Sequence, residues 1–144
     1  MEKNIEGILL IGSANFVIKT EKTLNFIKVV SNNWILFIKE NIGIIKEGEQ
    51  SGITVYATPP TFTVAGPTWS SSVTWYASAI VHDANHSALY RKGSTYYGKD
   101  AERNCMELQL KFLKECNAPI SEVNHLTKIY QTDYDYYTSS KRNW

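Results

Sequence analysis

Apolar positions in the first third of the chain predict one short strand region followed by a long helix. Residues 8–18 are rich in β-branched side chains around Gly12, which is typical of one or two short strands. Thr20 is a good N-cap for a helix, because apolar residues follow it at spacings of three and four. These residues are Leu24, Ile27, Val30, Trp34 and Ile38. The polar residues 31–33 offer a point where this helix can break in two.

The helical spacing continues through Ile42 and Ile45, so we expect the helix to end near Gly48. After it, residues 53–57 alternate between apolar and polar side chains and predict a strand. The next two prolines have no N–H to donate and cannot continue a strand ladder. Residues 61–65 then place Phe62 and Val64 on one face, which predicts a second strand and hence a short β-hairpin or small sheet.

The second half of the chain predicts two long helices. Serines at 70–72 are N-cap candidates for a helix over residues 73–92, which Gly93 ends at the C′ position. Asp100 is a candidate N-cap for a helix over residues 101–116, with Asn117 and Pro119 beyond its end. The tyrosine-rich tail has no clear period, and we expect turns or a short helix there. The fold class is therefore a small single α+β domain over residues 1–144, mostly helical, with the hairpin or sheet preceding a helix pair.

Composition excludes two classes of partner. The chain has 15 Lys and Arg against 14 Asp and Glu, without a basic stripe, so we expect no nucleic-acid partner and no attraction to anionic membranes. Residues 8–18 are too short to span a bilayer and make a poor signal peptide. We therefore expect a cytoplasmic protein. Cys105 and Cys116 lie about 16 Å apart on one predicted helix, too far for a disulfide, so both should be reduced.

Two histidines on the first long helix are the strongest candidate for chemistry. His82 and His86 stand at positions i and i+4, which places their Cβ atoms about 5–6 Å apart on one face of a helix. Two imidazole nitrogens can then reach about 2.0–2.1 Å from one zinc ion. Trp75 and Ala79 lie on the same face, so the histidines continue a stripe that would otherwise belong to the core.

Glu102 on the next predicted helix is the candidate third ligand. It shares a helix face with Cys105, Gln109 and Phe112 and should point inward. A charge is seldom buried without a partner, so an inward carboxylate beside two inward histidines favours a metal. Two imidazoles and one carboxylate would leave the fourth tetrahedral position of Zn²⁺ open to water.

The segment from His82 to His86, with Asp83, Ala84 and Asn85 between them, resembles the H-E-x-x-H helix of the zincin metallopeptidases. With Glu102 downstream, it is most similar to the gluzincin arrangement. The resemblance covers the helix pair, about a quarter of the chain. It implies that His82, His86 and Glu102 bind zinc, and that Asp83 accepts a proton from the water that attacks a peptide carbonyl. It also implies a peptide or protein substrate, held along a strand edge for which residues 53–65 are the candidate.

One position departs from the zincin motif, because Asp83 stands where the family has glutamate. Aspartate is shorter by one carbon–carbon bond, about 1.5 Å, and a displacement of 1 Å can cost about 10²-fold in rate. Metal binding tolerates this departure better than peptidase activity does. The first hypothesis is therefore a zinc-dependent hydrolase. The second is a non-catalytic metal-binding protein with a structural or interaction role.

Other interpretations of the same residues stay open at this point. The helix pair could lack a metal altogether, with two hydrogen-bonded core histidines and a solvated Glu102. His125 could replace Glu102 or stabilise an oxyanion, although a surface position is the simpler interpretation, and Gln109 could orient a ligand. A phosphohydrolase with a His-Asp pair needs another histidine upstream, and the chain has none before His82. Metal identity and oligomeric state are left open.

Overall fold

The structure, a computed structural model, describes residues 1–132 of the chain. The strands are β1 (Glu2–Ile5), β2 (Ile8–Ile11), β3 (Ile44–Glu47), β4 (Gly52–Thr54) and β5 (Thr61–Val64). The helices are α1 (Ala14–Val30), α2 (Asn32–Asn41), α3 (Gly66–Trp69), α4 (Val73–Arg91), α5 (Lys99–Glu115) and α6 (Ile120–Gln131). A small sheet thus precedes the long helices, and the predicted α+β class is confirmed.

The five strands form one mixed sheet in the order β1-β2-β3-β5-β4. The three central strands β2, β3 and β5 are parallel, and each edge strand pairs antiparallel with its neighbour. Side chains alternate between the two faces of a strand, so one face of the sheet carries the buried residues that pack against α1, α2 and α4. These residues are Ile8, Leu10, Ile45, Phe62 and Val64.

The first helix begins earlier than the sequence pattern predicted. Ser13, rather than Thr20, is the N-cap of α1, and its Oγ accepts a hydrogen bond from the backbone N–H of Phe16 at 3.3 Å. The expected strand over residues 8–18 therefore stops at Ile11. The predicted break is confirmed, since Ser31 ends α1 and caps α2.

The continuation of this helix to Gly48 was wrong. Ile42 is already in extended conformation at the end of α2, and Gly43 donates its N–H to the carbonyl of Pro60 at 2.9 Å. Ile45 then lies on the central strand β3, buried between β2 and β5. A spacing of three residues between Ile42 and Ile45 matched a helix only because a short buried strand carries too few residues to show its own period.

The predicted hairpin around the prolines is confirmed as the pair β4 and β5, although β4 ends at Thr54 instead of continuing to Ala57 and the pair belongs to the larger sheet. The predicted helix over residues 73–92 is confirmed as α4, where Ser72 accepts a hydrogen bond from the N–H of Trp75. Gly93 follows with a φ of 74°, the left-handed conformation that glycine adopts easily.

Helix α4 is the central element of the fold. Every residue from Trp75 to Ala88 is buried, because α4 packs against α1, α2, α3, α5 and β4. A helix surrounded on all sides is normally apolar all round. The polar residues inside this one therefore need partners within the protein.

Helix α6 agrees with the expectation of turns or a short helix in the tail, as far as residue 132. Leu126 and Ile129 on α6 join Trp75 of α4 and Met106 and Leu113 of α5 in a second apolar cluster. The expectation for the tyrosines after residue 132 lies outside the described residues. Within residues 1–132, no helix combines the length and the apolar character needed to cross a bilayer.

One buried contact that fixes α4 against α1 can be tested by mutation. The hydroxyl of Tyr76 lies 2.7 Å from that of Thr20, and both residues are fully buried. Tyr76→Phe should leave the Thr20 hydroxyl without a partner and lower the free energy of unfolding by about 1–3 kcal/mol, measured by urea denaturation. Adding Thr20→Val should recover part of that loss. Tyr90→Phe, on the surface, should change stability by less than about 0.5 kcal/mol.

Candidate metal centre

The two histidines of α4 face α5 from the buried middle of the molecule. His82 is fully buried and His86 is 7% exposed. Their ring centroids lie 5.2 Å apart, as expected for positions i and i+4 on one helix face.

Glu102, in the first turn of α5, reaches both rings. Its Oε2 lies 3.0 Å from Nε2 of His82, and its Oε1 lies 2.8 Å from Nε2 of His86. The residue is only 6% exposed. The three side chains predicted as ligands therefore meet, and the alternative of a solvated Glu102 is excluded by its burial.

Hydrogen bonds behind His82 fix which of its nitrogens carries a proton. The hydroxyl of Ser78 donates to the carbonyl of Trp75 at 2.7 Å, so its oxygen accepts from Nε2 of Gln109 at 3.1 Å. The other end of the amide, Oε1 of Gln109, must then accept from Nδ1 of His82 at 2.8 Å. Nδ1 of His82 is therefore the donor, and Nε2 of the neutral ring carries a lone pair that can only accept. Gln109 thus holds the His82 ring in place, which is the orienting role that the sequence analysis considered for Gln109.

His86 is oriented in the same way by the backbone. Its Nδ1 lies 2.7 Å from the carbonyl oxygen of Tyr96, in the loop between α4 and α5. A carbonyl oxygen can only accept, so Nδ1 of His86 donates. In the neutral ring, Nε2 of His86 therefore carries a lone pair, as in His82. Metal-binding histidines usually donate their second ring nitrogen to such a partner.

Two lone pairs would thus face the two oxygens of one carboxylate, which is unfavourable unless positive charge lies between them. Two additional protons on His82 and His86 would supply it, and so would one divalent cation. In a tetrahedral zinc site, ligand distances of about 2.0–2.1 Å place neighbouring nitrogen and oxygen atoms about 3.3 Å apart. The separations of 2.8 and 3.0 Å are shorter than this by only a few tenths of an ångström. The residues therefore fit a metal ion after a small outward movement.

The electrostatics of the metal-free cluster follow from burial and from these contacts. Burial alone would raise the pKa of Glu102, but attraction and hydrogen bonds to His82 and His86 hold it well below its ordinary range. Burial alone would lower the pKa of His86, but hydrogen bonds and attraction to Cys105 and Glu102 raise it well above its ordinary range. Protons therefore compete with a metal ion for His86.

Cys105 is the residue of this centre that the sequence analysis missed as a candidate ligand. Its Sγ and one nitrogen from each of His82 and His86 all lie within 4.8 Å of one another. The sulfur is fully buried, and both cysteines are free, as predicted. The available signal was the face that Cys105 shares with Glu102, three residues earlier.

The other residues that the sequence analysis named are Asp83, His125 and Asp100. Asp83 is 1% exposed and directly follows His82 on α4. His125 is an exposed residue of α6 that packs edge-on against Trp75, so the surface interpretation of it is confirmed. Asp100 is exposed and is not the N-cap of α5. The N-cap is Gly98, which has a φ of 92°, a conformation that residues with a side chain rarely adopt.

Comparison of the chain with protein-family models, with curated proteins and with solved structures finds no match. The case for a function therefore rests on the geometry of the cluster itself.

The metal-free protein should show a stability maximum at mildly acidic pH. The lowered pKa of Glu102 contributes stability that is present above its ordinary value of 4.5 and is lost as the pH falls. The raised pKa of His86 contributes stability that is complete below its ordinary value of 6.5 and is lost as the pH rises through the higher folded value. Urea denaturation in the presence of a chelator, repeated across the pH range, measures this profile.

Glu102→Gln should lower stability at the maximum by about 1–3 kcal/mol and flatten both sides of the profile. The control is Glu115→Gln, an exposed carboxylate at the end of the same helix, which should leave the shape unchanged. Identical profiles for wild type and Glu102→Gln would contradict this account.

Proposed function

We propose that the protein binds one divalent metal ion, zinc in the first place, between α4 and α5 through His82, His86 and Glu102. The observation that carries the proposal is which nitrogen of each imidazole ring donates and which faces Glu102. Both Nδ1 atoms are committed to fixed acceptors, while both Nε2 atoms face the same carboxylate. This is the arrangement that a cation between the three side chains would stabilise.

Metal content provides the direct test. Purified wild-type protein should retain about one zinc per chain after dialysis, since three protein ligands hold zinc tightly. His86→Ala should lose most of it, because the remaining ligands no longer surround the ion. His125→Ala is the matched control, an exposed histidine outside the cluster, and it should keep the wild-type zinc content. Equal and negligible metal in all three proteins would rule out the proposed centre.

We further propose that this centre serves a zinc-dependent hydrolase that acts on peptide bonds, as the zincin resemblance implies. Bound zinc would acidify a water molecule and polarise the substrate carbonyl. Asp83 would take the proton of that water and pass it to the leaving amine, and Gln109 and the Tyr96 carbonyl would keep the imidazoles oriented. The edge strand β4, which contacts α4, is the candidate for pairing with an extended substrate.

Turnover of a mixture of unstructured peptides by the zinc-loaded protein tests the hydrolase proposal. Asp83→Asn should retain zinc and lose about 10²–10⁴-fold in rate, because general-base catalysis contributes that much. Circular dichroism of the variant checks that the buried position still allows folding. A loss of zinc together with activity would show that Asp83 maintains the site rather than moving a proton.

A second function is favoured by the burial of the centre. His82, His86 and Glu102 are exposed by 7% or less, so solvent barely reaches the cluster. This degree of closure suits a structural ion that ties α4 to α5 and stabilises the fold without turnover. One equivalent of bound zinc with a large thermal stabilisation, but without peptide cleavage under any substrate mixture, would favour this second function over the hydrolase.

A further inference from the structure

The buried thiol of Cys105 lies where a fourth donor to the metal centre would stand. Cys105 follows Glu102 by three residues on α5, so both side chains share one face of the helix. The residue is fully buried, and its sulfur lies within 4.8 Å of a ring nitrogen of His82 and of His86. The other cysteine, Cys116, is partly exposed near the far end of the same helix.

The sulfur of Cys105 has a hydrogen-bond donor inside the protein. Nδ2 of Asn85 donates hydrogen bonds to Oδ1 of Asn104 at 2.7 Å and to Sγ of Cys105 at 3.3 Å. The amide N–H thus approaches the sulfur from inside the protein and uses it as an acceptor, although sulfur accepts hydrogen bonds only weakly. Outer contacts of this kind accompany metal ligands, and His82 and His86 have theirs in Gln109 and the Tyr96 carbonyl.

We infer that Cys105 binds the metal ion as a thiolate, together with His82, His86 and Glu102. The inference rests on the proposed metal centre. With zinc–nitrogen distances of about 2.0–2.1 Å and a zinc–sulfur distance of about 2.3 Å, nitrogen and sulfur ligands are about 3.6 Å apart. The observed limit of 4.8 Å exceeds this by about 1 Å, which a small rotation of the cysteine side chain can cover.

Charge balance supports the four-residue ligand set. A divalent ion with two neutral imidazoles and one carboxylate leaves a net positive charge among the ligands, in a place that solvent barely reaches. A thiolate cancels that charge, and buried sites strongly favour such compensation. The ligand set also defines the metal class. Thiolate with imidazole selects zinc, iron or cobalt over magnesium, calcium and manganese, which prefer oxygen ligands.

Cobalt(II) in place of zinc gives a direct spectroscopic test. Titration of metal-free full-length protein with Co²⁺ should produce a thiolate-to-cobalt charge-transfer band in the near ultraviolet. The band should persist in Cys116→Ser, the matched control on the same helix, and disappear in Cys105→Ser. Zinc affinity, measured by competition with a chromophoric chelator, should fall more than about 100-fold in Cys105→Ser, since the loss of an outer contact alone costs about 10–100-fold.

The outcomes separate this inference from the centre on which it rests. Wild-type protein that binds one Co²⁺ without the charge-transfer band would overturn the role of Cys105 and leave the His82, His86 and Glu102 centre intact. Persistence of the band in Cys105→Ser would do the same. Wild-type protein that binds neither Co²⁺ nor Zn²⁺ would overturn both proposals. In the Cys116→Ser protein, Cys105 is the one remaining cysteine, so a band there can come from Cys105 alone. The test therefore holds even if Cys105→Ser fails to fold, and Cys105→Ala provides a second variant.

Discussion

The orientation of one amide fixes the tautomer of His82, the more deeply buried histidine of the cluster. Ser78 has a single hydroxyl proton, and giving it to the carbonyl of Trp75 obliges Gln109 to turn its oxygen toward His82. That oxygen in turn fixes the protonated nitrogen of the ring. The role of His82 toward Glu102 is therefore set by the carbonyl of Trp75, as the carbonyl of Tyr96 sets that of His86. A buried network with every role assigned in this way resists rearrangement.

The fold supplies what such a network needs, which is exclusion of water from a polar interior. Helix α4 is enclosed by four helices and an edge strand, so its polar residues cannot turn to solvent. In that environment contacts with Cys105 and Glu102 raise the pKa of His86 despite its burial, and contacts with His82 and His86 lower the pKa of Glu102 despite its burial. The same enclosure would strengthen the binding of a cation at the proposed centre and would limit the approach of a substrate, so it favours the proposed metal binding over the proposed hydrolysis.

Local rules were sufficient for the parts of the molecule that follow one period over many residues. Spacing of four placed His82 and His86 together, a shared face turned Glu102 inward, and Gly93 marked the end of α4. The rules failed where the element was short or its partners distant. Strand β3 has only Ile45 fully buried and could not be told from a helix. The shared face also turned Cys105 toward α4, but its distance from the two histidines depends on how closely α5 packs on α4, which the pattern of one helix does not give.

The hydrogen bond between His86 and the loop before α5 determines which mutations of that loop would disturb the imidazole ring. The acceptor is the main-chain oxygen of Tyr96, so replacing the side chain at that position does not remove it. A survey of single substitutions would therefore register little at Tyr96, even though the imidazole depends on it. Insertions, deletions or a proline in this loop would alter the path of the backbone and turn the ring. A substitution at Tyr96 keeps this acceptor oxygen in the chain, whereas a change in loop length would move it.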